Sequence, residues 1–307
     1  MTAADPAAVA APSAGERPSL RHRLAERGID RTLWLVVPAT LFILALFVYP
    51  FLYGLQLSFT PQEGGGALAN YREFFTDPYL RDTIWKTLRL GLPAAILNVV
   101  VSVPIAYAMR GRFRGKRTVT TLLVVPIALG TVLTAQGLLM YAGPTGWLNQ
   151  VLMNLHLVDH PVALIHNYIG VFLSLVITGF PFAFLLTLSY ISGIDPSLER
   201  AAATLGAGAW QRFSKVTLPL LMPGLTMTFI LSFVLAFSVF PSAQLVGDPT
   251  GSTRVISIAA YEAAFQQFDY SMGSTIAMIM AAVMLVVIGL VLAWRSMFYR
   301  GATGGKG

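Results

Sequence analysis

Long stretches without a charged residue dominate this sequence. No aspartate, glutamate, lysine or arginine occurs in residues 32–62, 90–109, 118–158, 160–194, 216–247 and 270–294. A helix that crosses a bilayer needs about 20 mostly apolar residues, and each stretch can hold one. A soluble fold would have to bury all of these stretches, whereas only 11% of the residues are charged and available to cover its surface. The sequence therefore predicts an all-α polytopic membrane protein.

Glycines, prolines and polar residues set the limits of the spans. Six transmembrane helices are predicted near residues 33–58, 84–109, 118–141, 167–191, 219–243 and 272–294. The stretch 118–158 holds only one, because the segment 142–146 (Ala-Gly-Pro-Thr-Gly) breaks it and the remainder is too short and too polar to cross. The predicted organisation is a partly disordered tail at 1–31, a six-helix membrane domain at 32–295 and a second tail at 296–307.

The basic residues lie mainly on one side of the predicted spans. Of the 21 lysines and arginines, 16 lie in the two tails and in the loops after the second and fourth spans. Because basic residues favour the cytoplasmic side of a membrane, both termini are predicted to be cytoplasmic. The same clusters explain the net charge of +7. We expect them to lie near membrane lipid and to bind no nucleic acid.

Motifs of an enzyme or a nucleotide site are absent from the sequence. There is no cysteine, no G-x-x-x-x-G-K-[ST] loop, no G-x-S-x-G elbow and no H-E-x-x-H pair. We therefore expect no catalytic residue, no bound cofactor and no metal, and the protein is predicted not to be an enzyme. His156, His160 and His166 are interpreted as solvated loop residues, with a metal site as the alternative.

The polar residues in the cores of the predicted spans include no acid. Proton-driven carriers commonly place Asp, Glu or His at that depth, so the pattern argues against an autonomous secondary transporter or channel. The neutral polar residues either line a substrate path or form hydrogen bonds between helices. The candidates for the path are Asn98, Ser102, Gln136, Thr178, Ser242 and Gln244.

The loop between the fourth and fifth predicted spans has a pattern of its own. Asp195-Pro196 is typical of a helix start, and Gly206 and Gly208 allow a sharp turn into a second short helix that carries Trp210 and Phe213. Small apolar residues and exposed aromatic side chains would then face the same side. Such a surface suits a groove on a partner protein, and the alternative is an interfacial helix against lipid headgroups.

This loop resembles the E-A-A-x-x-x-G-x9-I-x-L-P loop of permease subunits of type I ABC importers. Ala201, Ala202, Gly206, Val216, Leu218 and Pro219 match its positions. Arg200 stands where the family has glutamate, and Glu199 lies one residue earlier. The resemblance implies an ATPase-coupling loop at 195–218. Its residues are Glu199, Arg200, Ala201, Ala202, Gly206, Trp210, Phe213, Leu218 and Pro219.

The resemblance also implies the fold and the partners. The fold would be that of a type I ABC importer permease in the inner membrane of a bacterium. The implied partners are a second permease subunit, two ATP-binding cassette ATPase subunits and a periplasmic or lipid-anchored substrate-binding protein. ATP and Mg would be used by the ATPase and not by this chain.

The sequence constrains the identity of the substrate less than it constrains the fold or the partners. Residues 143–149 (Gly-Pro-Thr-Gly-Trp-Leu-Asn) are similar to the loop after the third span in spermidine/putrescine-type permeases, which implies a polyamine or a similar small organic cation. Glu262 and Asp269, in an outer loop rich in aromatic residues, are candidate acids for such a cation. The alternatives are a sugar, iron, sulfate, a phosphonate or an amino-acid-like compound.

Overall fold

The computed structural model describes residues 33–62, 64–111 and 115–298. The predicted tail at 1–31 and most of the tail at 296–307 lie outside these residues. The described residues form helices and no strand. Six of the helices are long and apolar enough to cross a membrane, which confirms the predicted number of spans.

The contacts between residues divide the chain into two compact units, residues 1–53 and 54–307. The first unit is described from the helix Leu33–Ile43, which is followed by a π-helical turn at Leu44–Val48 and by the start of the helix Tyr49–Ser58. The apolar side chains from Val36 to Tyr53 are exposed, as expected for a helix in contact with lipid.

The second unit contains the other five spans, and the second span begins six residues earlier than predicted. In the helix Pro78–Met109, the Asp77 side chain accepts a hydrogen bond from the Tyr79 N–H at 2.8 Å. Asp at the N-cap followed by Pro is a strong helix start, and it outweighs the charged residues in the first turns. The remaining spans are Lys116–Ala142, Tyr168–Ser192, Leu218–Phe237 and Tyr270–Phe298.

The predicted end of the fifth span at residue 243 is wrong. The helix ends at Phe237, and a separate short helix, Pro241–Val246, follows. Pro241 disfavours helical backbone at the residue before it, and Phe240 accordingly lies at φ −131°. The apolar sequence continues across this break, and for that reason the hydrophobic pattern alone did not reveal it.

The third span is also interrupted. Within Lys116–Ala142, Gly130 lies at φ 71° and ψ −178°, a conformation that interrupts the helix and that only glycine adopts readily. Pro126 lies four residues earlier in the same helix and cannot donate a backbone hydrogen bond. The third span is therefore discontinuous at Gly130, whereas the fifth span ends at Phe237, before the short helix that follows it.

Close helix packing and hydrogen bonds join the second, fourth and fifth spans. Ser102 and Thr187 share a hydrogen bond of 2.8 Å, and the Ser174 hydroxyl donates to Ser242 at the same distance. A Cβ atom at Gly224 would come within 2.5 Å of the Tyr190 ring, so the fourth and fifth spans approach closely there. Such small residues and hydroxyl pairs are typical of helix association within a membrane.

Candidate coupling site and polar cavity

The loop after the fourth span folds into two helical segments, of which the first is a short helix that the sequence predicts. The first, Pro196–Thr204, begins where the Asp195 side chain accepts a hydrogen bond from the Ser197 N–H at 2.8 Å. Gly206, at φ +85°, ends it, and the Ala207 N–H donates back to the Ala202 carbonyl at 3.0 Å. The second, Ala209–Arg212, follows at once. It continues through a π-helical turn at Phe213–Thr217, which carries Phe213, into the fifth span, so it is not the separate short helix that the sequence predicts.

Glu199 attaches this loop to the spans. Its side chain is buried, with 6% of the residue exposed. Its carboxylate accepts two hydrogen bonds from the Arg110 guanidinium, directly after the second span, and one from the Thr217 hydroxyl, directly before the fifth. The Tyr107 hydroxyl donates a further bond at 3.3 Å. The Arg110 hydrogen bonds lower the pKa of Glu199 to about 2, against the opposing effect of burial.

Aromatic side chains form a second link between the loop and the second span. The Phe213 ring meets the Tyr107 ring edge-on at 4.9 Å, and the Trp210 ring lies 5.7 Å from Phe213. The Arg110 guanidinium lies 4.1 Å from the centre of the Tyr107 ring. Phe213 is half-buried by these contacts, so the expectation that both aromatic residues of the loop are exposed is correct for Trp210 alone.

Three apolar residues of the loop are largely exposed. Leu205 is 89% exposed and Trp210 74% exposed, and Leu198 is also exposed. These three residues are called the exposed apolar face below. Of the other residues predicted to couple, Arg200, Ala201, Gly206 and Pro219 are exposed, whereas Ala202 and Leu218 are half-buried. The loop is thus attached to the spans through Glu199 and Phe213, and it also carries apolar residues that the described residues leave exposed.

The predicted path residues divide into three pairs. Ser102 and Ser242 are fully buried in the hydrogen bonds between spans described above. Gln136 and Gln244 are exposed and do not line the 310 Å³ cavity. Asn98 and Thr178 line a cavity of about 310 Å³ together with Thr131, Ser232 and Ser238. Of the six predicted path residues, Asn98 and Thr178 are the two that line this cavity, as residues of a substrate path would.

A second cavity, of about 570 Å³, lies among the short helices between the spans. Glu73, Asp77 and Asp269 line it. Asp269 also accepts a hydrogen bond from the Met272 N–H at 2.8 Å at the start of the sixth span. Glu262, the other predicted acid, is paired with Arg254, whose Nε donates to it at 3.0 Å. The described residues contain no group of three His, Asp or Glu that could hold a metal ion.

Sequence reasoning missed several residues of both sites. The sequence analysis interprets the basic residues after the second span, Arg110 among them, only as determinants of membrane topology. Arg110 is the first of these residues, and this position makes it a candidate partner for an acid on a neighbouring loop. Thr217 and Ser232 could not be singled out from the sequence, because other hydroxyl residues, such as Ser214, Thr226 and Thr228, lie close to them.

Residues 98–296 match the family of binding-protein-dependent transport system inner membrane components. The chain belongs to this family. It is a multi-pass inner-membrane permease subunit of an ABC importer and not an enzyme, because ATP hydrolysis in this family is carried by a separate subunit. The predicted resemblance and fold class are thereby confirmed.

Relatives of this permease are named for different substrates. The trehalose transport system permease SugA of Mycobacterium tuberculosis is 27% identical over 86% of this chain and 88% of its own. The spermidine/putrescine permease PotB of Haemophilus influenzae is 30% identical over 64% and 71%. The sulfate permease CysT of Escherichia coli is 28% identical over 77% and 84%. The names therefore leave the substrate of this permease open.

A solved structure shares the fold. It is a bacterial alginate ABC transporter in complex with an alginate pentasaccharide-bound periplasmic protein, and the TM-score is 0.75 at 20% identity, over 90% of this permease and 98% of that chain. At this identity the similarity shows the fold alone.

Proposed function

We propose that this permease forms half of the translocation pathway of an ATP-driven, binding-protein-dependent importer and that its loop 195–218 docks on an ATPase subunit. The observation that carries the proposal is that the loop is anchored and yet exposes apolar residues. Glu199 fixes the loop to the second and fifth spans, while Leu205 and Trp210 remain exposed. An exposed apolar helix face of this kind suits a groove on a partner protein.

The complete transporter would contain a second permease subunit, two ATPase subunits and a periplasmic or lipid-anchored binding protein. ATP and Mg would be bound by the ATPase subunits. Membership of the family supports a binding protein as a partner. The alginate transporter of similar fold was solved with a periplasmic protein, which also supports it. The loop and both termini would lie on the cytoplasmic side, in accord with the distribution of basic residues.

Movement of the ATPase would reach the spans through the side chains that hold the loop. A displacement of the exposed apolar face is passed on by Glu199 to Arg110 and Thr217, at the ends of two different spans. The ring contacts from Trp210 through Phe213 to Tyr107 run in parallel. Both routes reach the second span, and the Thr217 bond also reaches the fifth, so we propose that these two spans follow the loop when the ATPase subunits close.

For the substrate we propose a polyamine or a similar small organic cation. The 30% identity to the spermidine/putrescine permease of Haemophilus influenzae supports this class. The 570 Å³ cavity also supports it: three carboxylates and one guanidinium, that of Arg254, line it, and this excess of negative charge would attract a cation towards the spans. A neutral sugar is the second candidate, favoured by the trehalose permease, whose similarity extends over 86% of this chain.

Docking is tested by Leu205→Glu in the complete transporter. This side chain is exposed and makes no internal packing, so the change should leave membrane insertion intact and prevent co-purification of the ATPase. The matched control is Leu157→Glu, a similarly exposed leucine outside the loop, 66% exposed. Normal ATPase co-purification with Leu205→Glu would show that the coupling surface lies elsewhere.

A further inference from the structure

The 310 Å³ cavity lies beside the break in the third span and the end of the fifth. It is lined by residues of the second, third, fourth and fifth spans. Among the lining residues, Thr131 follows the break at Gly130, and Ser238 follows the last residue of the fifth span, Phe237. Non-helical backbone at membrane depth is tolerated only where it is buried in protein or lines a cavity. Broken helices in transporters commonly surround the place where a solute is held.

Two buried polar atoms beside this cavity have no hydrogen-bond partner. They are Oδ1 of Asn98, a residue that is 1% exposed, and Oγ of Ser232, which is 3% exposed. Both residues line the cavity. An unsatisfied buried polar group costs about 1–3 kcal/mol, so each one in a native protein requires a reason. A solute that supplies the missing partners is such a reason.

The orientation of the Asn98 amide is fixed by its surroundings. Its Nδ2 donates to the Leu175 carbonyl at 3.4 Å, and the reverse orientation would place two oxygens together. Gly179 makes room for this amide, because a Cβ atom there would come within 2.4 Å of Nδ2. The free atom of Asn98 is therefore an acceptor, which calls for a hydrogen-bond donor in the cavity.

We infer that this cavity is a transit site for a solute that carries hydrogen-bond donors, ammonium or hydroxyl groups, and that Asn98 and Ser232 bind those groups. The inference rests on the proposed import function and narrows its substrate. Sulfate carries no hydrogen-bond donor and therefore cannot form a hydrogen bond with Oδ1 of Asn98. Among the residues that the structure describes, no charged side chain lines the cavity, so the solute is held weakly enough to leave again.

The test uses the complete transporter in proteoliposomes, with Ser232→Cys in a chain that has no native cysteine. The rate at which a small thiol reagent labels this cysteine is measured alone and with putrescine, trehalose or sulfate. Protection equals 1 + [L]/Kd, so a donor solute at about four times its Kd should slow labelling about fivefold, and sulfate should not slow it. Asn98→Leu in the same chain should remove most of the protection.

Thr228→Cys is the matched control. Thr228 is buried on the same span one turn earlier, and its hydroxyl is satisfied by the Gly224 carbonyl at 3.0 Å. If a solute protected Thr228→Cys as strongly as Ser232→Cys, the protection would come from a general closure of the protein, and the proposed transit site would be wrong. Failure of Ser232→Cys to label, protection by sulfate, or protection by none of the three solutes would also overturn it.

The results of this experiment distinguish failure of the transit site from failure of the proposed function. Protection by putrescine supports both. Protection by trehalose alone supports the transit site and contradicts the polyamine assignment. If the ATPase co-purifies and the assembled transporter hydrolyses ATP, yet no solute protects Ser232→Cys, the transit site fails and the proposed coupling function stands.

Discussion

Glu199 and Arg110 lie 89 residues apart in the sequence and are joined by two hydrogen bonds between carboxylate and guanidinium. The pair connects the coupling loop to the end of the second span, and its carboxylate is almost completely buried. A paired, buried carboxylate with two further hydroxyl donors has little capacity left for a partner on another subunit. Its role is to hold the loop in place within this chain.

Replacing Glu199 with Gln should loosen the loop from the second span. The change keeps the size of the side chain but removes the charge that Arg110, Thr217 and Tyr107 surround. Hydrogen bonds to charged groups are worth about 1.5–3 kcal/mol, so ATPase affinity should fall at least tenfold. Titration of the ATPase against the permease in nanodiscs measures this. Unchanged affinity and unchanged coupling of ATP hydrolysis to uptake would contradict the anchoring role.

Gly206→Val should abolish uptake and substrate-stimulated ATP hydrolysis while the permease still inserts in the membrane. Nothing lies within 4 Å of an added Cβ, so the effect comes only from the backbone at φ +85°. A left-handed conformation costs a non-glycine residue about 1–2 kcal/mol, and asparagine tolerates it best. Gly206→Asn should therefore keep most of the activity.

Gly208→Ala is the control for that series, because Gly208 lies at φ −66° and an added Cβ meets open space. It should transport like the wild type. Wild-type uptake by Gly206→Val would mean that the turn is not needed for coupling.

Arg200→Ala should change ATPase affinity by about twofold or less, because Arg200 is exposed and exposed ion pairs contribute little. This position carries glutamate in the family pattern, and here the buried acid is the preceding residue, Glu199. The measurement is the same titration as for Glu199→Gln. A loss as large as that of Gly206→Val would show that Arg200 has a specific acidic partner on the ATPase.

The sequence predicted the number of spans and the first short helix of the loop with its turn, because these features depend on local patterns. Uncharged stretches mark the spans, and Asp195-Pro196 and Gly206 mark the helix start and the turn. Each of these signals lies within a few residues of the feature that it produces. The family pattern added the docking role, which no local signal could supply.

The features that were missed depend on distant residues or on backbone breaks inside apolar sequence. The partner of Glu199 is 89 residues away, and no pattern in a single sequence indicates such a pair. The break after Phe237 lies within an apolar run, where hydrophobicity continues although the helix does not. The orphaned oxygen of Asn98 follows from the packing of four spans, and its sequence position shows only a neutral polar residue.

The stability of the loop should depend on pH only below about pH 4.5. The pKa of Glu199 is lowered from 4.5 to about 2, chiefly by the Arg110 hydrogen bonds. A lowered pKa contributes stability that is complete above the unfolded value and is lost as the pH falls towards the folded one. Proteolytic resistance of the loop should thus be constant down to about pH 4.5 and fall below it. An acid-stable protease measures it, and Glu199→Gln should show a smaller fall, because the hydrogen bonds from Ser197 also lower the pKa of Asp195 in the same loop.

The membrane orientation of the loop can be tested with single cysteines at Asn154 and Gly208. Both positions are exposed, and neither substitution forces a strained backbone. If both termini are cytoplasmic, an impermeant thiol reagent should label Asn154→Cys from outside intact cells and Gly208→Cys only after permeabilisation. The absence of native cysteine gives a clean background. Labelling of Gly208→Cys from outside would place the coupling loop on the wrong side of the membrane for an ATPase that uses cytoplasmic ATP.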